Sequence, residues 1–252
     1  MTVEHGVLPR AMSLAVHELR TPVTVVAGYL RMLLREQAGP LSEKQKKMLE
    51  EADRSCSRLG ALVAEMSEFG KLESGEVALA CQHFDLGALA VELASGLHDG
   101  VDRGVQLEAR PPAPVGLQDV ALNEIATKEI ATREIRVAGD RTRIAAAVKA
   151  LMQSAVRERV EPGVLAVRCS VAGPVDGKAP RWAVLAIGDD AVMPDLERVA
   201  LEPPDAFDEW RGGLGLALPV ARRVIEKHGG TVWCASGPNA RATAALRLPL
   251  IP

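Results

Sequence analysis

From about Leu8 to Gln37 apolar residues recur every three or four positions, through Met12, Ala15, Leu19, Val23, Val26, Leu30 and Leu33. That spacing predicts one long helix with a single apolar face. Pro22 falls inside the run, where it removes a backbone donor and should bend the helix. Gly39-Pro40 breaks the pattern, and Ser42 with Gln45 forms a capping-box start for a second helix. This second helix reaches about Leu72, and Met48, Ala52, Ser55, Leu59, Leu62, Met66 and Phe69 alternate steps of four and three, close to a heptad. Two helices joined by a short turn make an antiparallel hairpin with an open apolar seam. Pairing with a second copy would close the seam as a homodimeric four-helix bundle; docking on the rest of the chain is the alternative.

After Ser74-Gly75 the period changes and strands mix with helices. A helix is expected over Leu86 to Leu97 and a short strand near Val105-Leu107, followed by a Pro-rich break at Pro111-Pro114. Within residues 121–135, Glu-Ile-Ala-Thr-Lys is followed by Glu-Ile-Ala-Thr-Arg. A repeat of five fits neither a helix nor a strand, so the stretch of about 111–136 reads as a surface insertion, at most a short helix. Beyond it the pattern predicts a helix from Arg141 to Arg159, strands at Leu165-Val171 and Trp182-Ile187, and a helix at Leu216-His228. Strands at Thr231-Ala235 and Thr243-Leu248 follow. The expected architecture is an all-α hairpin over residues 1–75, then an α+β two-layer sandwich over 76–252 with helices on one face of a mixed sheet.

Composition narrows the classes. Hydrophobic residues make up 48% of the chain, enough for a core, but aromatics are only 3%, so aliphatic side chains must do the packing. With 30 basic and 33 acidic residues, nothing suggests a nucleic-acid partner. Cys56, Cys81, Cys169 and Cys234 form no Cys-x-x-Cys pair, which argues against a zinc site or a disulfide framework and suits a reducing cytoplasm. No apolar run approaches a bilayer span and no signal-peptide pattern opens the chain. If Met1 is the natural start, no sensor domain precedes the first helix, and a separate sensor protein is the expected source of a signal.

The chemistry centres on His17-Glu18-Leu19-Arg20-Thr21-Pro22. Imidazole is nucleophilic and largely neutral near pH 7, and a neighbouring carboxylate fixes its tautomer by accepting the other ring proton. Thr21 lies four residues after His17, one turn along the same helix face. These six residues, continued by Val25-Val26-Ala27-Gly28-Tyr29-Leu30, resemble the phosphoacceptor box of two-component histidine kinases. The resemblance implies that His17 is the phosphoacceptor and Glu18 its acid–base partner. It further implies that Thr21 orients the water that dephosphorylates a partner's phospho-aspartate, and that the kink at Pro22 lets the helix shift between states.

The remainder resembles the catalytic ATP-binding domain of the same kinases. Gly212-Gly213-Leu214-Gly215-Leu216-Ala217 is similar to the family's second glycine box, where glycines at a loop-to-helix junction let phosphate approach the backbone. Val220 to Trp233, with His228-Gly229-Gly230-Thr231 at its centre, stays close to the family text. Other motifs depart from it. Asp140, Arg143 and Ile144 open a helix as the family's asparagine box does, but the two asparagines fall on Ala150 and Ser154, while Ala155 and Arg157 keep the family type. Ser154 therefore stands where a magnesium ligand is usual, and a hydroxyl there is shorter. At Gly188-Asp189-Asp190-Ala191-Val192-Met193-Pro194 the family's first glycine box is lost. Gly188 takes the place of the aspartate that accepts from the adenine amino group, and Asp189 substitutes only through a one-residue shift. Phe207, Trp210 and Arg211 resemble the phenylalanine box, Gly212 follows at once so the ATP lid is shortened, and Arg241-Ala242 stands where Gly-Thr is usual.

The resemblance thus implies a histidine protein kinase that uses ATP and Mg²⁺ and hands its phosphoryl group to a response regulator receiver domain. Its nucleotide contacts would be Ser154, Arg157, Asp189, Gly213 and Gly215. Two alternatives stay open: an ATP-independent phosphotransferase or response-regulator phosphatase whose second domain is structural, and a non-catalytic scaffold.

Overall fold

A computed structural model describes residues 7–110, 134–173, 181–204, 207–211, 213–237 and 240–251. The chain falls into two compact units, Met1–Val77 and Ala78–Pro252. The first is the helical hairpin expected from the sequence, α1 (Val7–Leu34) and α2 (Glu43–Ser74). α1 continues through Pro22 but stops short of Gln37, because Glu36 turns into the left-handed region at φ 57° and the Glu36 N–H closes onto the Leu33 carbonyl. Ser42 then caps α2 as its sequence implies: its Oγ accepts from the Gln45 N–H, and the Gln45 side chain accepts from the Ser42 N–H at 2.9 Å. Gly75 in the left-handed conformation ends the helix. Between the helices Val16, Cys56, Val63 and Leu72 are buried, and the Cys56 thiol donates to the Val23 carbonyl at 3.5 Å.

The second unit is built on a five-stranded mixed sheet and a separate two-stranded ribbon. The ribbon pairs β1 (Cys81–Asp85) with β3 (Arg136–Asp140) antiparallel. The large sheet contains β2 (Val105–Arg110), β4 (Gly163–Ala172), β5 (Trp182–Gly188), β6 (Thr231–Trp233) and β7 (Ala244–Pro249), in the order β2-β4-β5-β7-β6. Only β2 and β4 run parallel; the other pairs are antiparallel. Against one face lie α3 (Leu86–Gly96), α4 (Arg141–Glu158) and α6 (Ala217–Lys227). Side chains alternate along each strand, so Ala166, Val184, Ala186 and Ala245 point to the other face. There they pack with Trp233 under Met193, Leu196 and Ala200, the first two carried by α5 (Met193–Arg198).

Three elements escape the sequence pattern. β1 has exposed Cys81, Gln82 and His83, so no apolar alternation marks it. α5 is only six residues long, below the reach of a helical period. β3 emerges from the stretch read as an insertion: residues 111–133 lie outside those described, but Ile135 is buried and its carbonyl accepts from the Leu86 N–H, and Arg136 already belongs to the ribbon. The ribbon matters because its last residue, Asp140, caps α4, the helix that carries Ser154 and Arg157 of the candidate nucleotide contacts.

Candidate functional site

In the first unit the site is a surface feature of α1. The His17 side chain is 81% exposed and Glu18 is 71% exposed, with Nδ1 of the ring 3.4 Å from Oε1 of Glu18. A carboxylate beside Nδ1 favours the tautomer with its proton there, which leaves the Nε2 lone pair facing outward. Thr21 is exposed as well, one turn along. Pro22 has no N–H for the carbonyl of Glu18, and the Thr24 hydroxyl donates to the Arg20 carbonyl at 2.8 Å. Imidazole, carboxylate and hydroxyl thus share an open strip of helix.

The second unit gathers the other predicted residues around the C-terminal end of α4. Asp140 anchors the opposite end of that helix. Its carboxylate accepts from the Arg143 backbone N–H at 3.1 Å, from the Arg143 guanidinium at 2.7 Å and from the Ala80 N–H at 3.3 Å. Burial alone would push this carboxyl up, but those donors outweigh it and hold it below the usual range. His228 supports the same corner: Nδ1 faces the Val224 carbonyl at 2.7 Å, which leaves Nε2 to accept from the Asp140 N–H at 3.0 Å.

Ser154 is fully enclosed and its Oγ has no hydrogen-bond partner among the described residues, an orphan hydroxyl inside α4. Arg157 reaches out of the same helix and donates to the Gly213 carbonyl at 3.3 Å. Gly213 (φ 58°) and Gly215 (φ 66°) are both left-handed, and a side chain at Gly213 would meet nothing within 4 Å, so the loop before α6 keeps its backbone open to a ligand. The structure therefore ties Arg157 to the glycine loop directly. It does not give Ser154 an open face.

At the end of β5, Gly188 is a tight place for the acid that the family places there. A Cβ on it would lie 3.0 Å from Val192 and 3.2 Å from Thr243. Asp189, the shifted substitute, forms an ion pair with Arg159, and Asp190 pairs with Arg110 at 3.0 Å. Arg159 gave no signal in the sequence, since nothing in its spacing links it to Asp189 thirty residues on. Equally unforeseen is a chain of charges in which Arg241 lies 3.3 Å from Glu158 and 3.7 Å from Asp208. Arg211 is buried, donates to the Thr243 and Ala240 carbonyls and lies over the Phe207 ring; burial draws its guanidinium down, against the pull of Cys234, Glu158 and Asp208. The phenylalanine-box residues thus knit 207–211 to the start of β7, with Trp210 left 67% exposed.

These residues do not fit a magnesium ion held by protein ligands. Ser154 offers one neutral, enclosed oxygen, Glu158 is engaged by Arg241, and among the described residues no three His, Cys, Asp or Glu side chains cluster as a metal site. Among the described residues, too, no helix is long and apolar enough to cross a membrane.

Residues 10–75 match the family model of the His Kinase A (phospho-acceptor) domain, and residues 139–252 match that of the histidine kinase-, DNA gyrase B- and HSP90-like ATPases. The circadian input-output histidine kinase CikA of Synechococcus elongatus is 25% identical over 239 residues, covering 92% of this chain and 29% of its own length. Sensor protein VanS of Enterococcus faecium is 24% identical over 243 residues, covering 94% of this chain and 56% of its own. The chain thus spans less than two thirds of either relative. Among solved structures, full-length ShkA in complex with AMPPNP superposes with a TM-score of 0.64 at 18% identity, covering 97% of this chain and 46% of that one, a likeness of fold.

Proposed function

We propose, for a chain that belongs to the two-component histidine kinases through both of its domains, that the second unit binds ATP and His17 accepts its γ-phosphoryl group before passing it to a response regulator aspartate. The exposed His17–Glu18 pair within the phospho-acceptor match carries this reading. With the ring proton on Nδ1 and Glu18 accepting it, the Nε2 lone pair attacks the γ-phosphorus, the bond to the ADP oxygen breaks, and an Nε2–P bond forms. A receiver aspartate oxygen then attacks the same phosphorus, and the N–P bond breaks to return a neutral imidazole. Exposure of the ring on a convex helix suits a nucleophile that must meet two partners in turn. Thr21, one turn away, is assigned the water that strips the receiver's phospho-aspartate.

On the nucleotide side, the open backbone at Gly213 and Gly215, with Arg157 beside it, is assigned to the phosphates, and Asp189 to the base. Ser154 acts from within α4 rather than as a metal ligand. The partners are a second copy of the chain, a receiver domain and a sensory input outside these two domains, in the cytoplasm.

Incubation with ATP labelled in its γ-phosphate should label the wild type and leave His17→Gln blank, and a receiver domain should then remove the label. Equal labelling of the two proteins sinks the reading.

A further inference from the structure

Arg159 is held in place on every side. Its Nε donates to the Glu161 carbonyl at 3.0 Å, its Nη1 pairs with Asp189, and its Nη2 occupies the space a Cβ on Gly163 would need, 2.9 Å from that position. Gly163 itself has φ 150°, a conformation that favours glycine. Both partners of the ion pair are largely withdrawn from water, Arg159 at 17% and Asp189 at 24% side-chain exposure. The contact is therefore a built feature and not a chance meeting of surface chains.

A guanidinium N–H offers Asp189 what an exocyclic amino group of a base would offer, a donor to a carboxylate oxygen. The neighbouring acid is no substitute, because Asp190 is turned to Arg110 and Arg168. Nor is Gly188, which has no side chain and where an added Cβ would press on Val192 and Thr243. We infer that Arg159 is an internal competitor for the carboxylate of Asp189, a positioning residue that leaves the nucleotide site with little selectivity for a 6-amino purine. This inference rests on the reading that Asp189 faces the base.

The consequence is measurable as a ratio. A purine with a 6-oxo group in place of the amino group should bind the wild type about as well as ATP does. Freeing Asp189 should restore the preference, since a hydrogen bond to a charged group discriminates by about tenfold or more. The experiment titrates the full chain with ATP and with ITP by calorimetry, for wild type, Arg159→Gln and Arg159→Lys; lysine keeps the charge but is not the rigid fork that spans Glu161 and Asp189. The expected result is an ATP-to-ITP affinity ratio near one for the wild type that rises about tenfold in both variants. An unchanged ratio in folded variants that bind nucleotide overturns the competition alone. A strong ATP preference already in the wild type does the same. Absence of nucleotide binding in all three proteins overturns the inference together with the nucleotide reading it rests on.

Discussion

At the scale of single residues, charge and burial decide what each group does. Asp140 is the clearest case: its donors hold the carboxyl below its usual range despite burial, so its ionised form stabilises the fold. The sign follows from the depressed folded value. The contribution is fully present above the unfolded carboxylate pKa of about 4 and is lost as pH falls through the lower folded value. Asp140→Asn keeps a capping side chain but loses the charge paired with Arg143, so it should lower stability at neutral pH by about 1 kcal/mol and flatten the acid limb of a denaturation-versus-pH profile; an unchanged acid limb would contradict the assignment. The thiols behave differently. Burial, then the nearby charges of Asp85 and Glu197, pushes Cys169 up to about 12, and burial also raises Cys234 despite Arg211. Among the free cysteines only Cys81 is exposed. A thiol-directed reagent with mass mapping should modify Cys81 first in the native protein and Cys169 only on unfolding.

At the scale of elements, local sequence rules explain where the helices begin. The capping box at Ser42 and Gln45 sets the start of α2, and Ser42→Ala should cost about 1 kcal/mol in chemical denaturation, with the helix otherwise unchanged. The hairpin and the helices and strands with a clean period were legible in the sequence because periodicity reports a buried face directly. β1 and β3 were not, since their short ribbon is half-exposed and its partners lie far apart in the chain. The same divide runs through the site. His17, Glu18 and Thr21 sit in one contiguous stretch and could be read together. Asp189 could be named as a candidate only through a one-residue shift, and its capture by Arg159 is a tertiary contact with no local trace. The enclosure of Ser154 belongs to the same class: identity and spacing placed it correctly on α4, and only packing shows that its hydroxyl faces no open cleft.

At the scale of the whole molecule, the hairpin presents an apolar strip that a single copy leaves in water. Leu19, Val26, Met48 and Leu59, all members of the periodic seam, are between 44% and 62% exposed. We propose that a second copy covers this stripe and completes a four-helix bundle. Sedimentation should find a dimer, and Val26→Glu together with Leu59→Glu should shift it to monomer while the second unit stays folded. The chemistry of His17 is tested by the phosphorus resonance and mapped position of the phosphoryl group on intact protein after exposure to ATP. The expected product is a phosphoramidate on Nε2 of His17, with Nδ1 left to Glu18. A phosphoryl group on any other residue, or its persistence in His17→Gln, would contradict it.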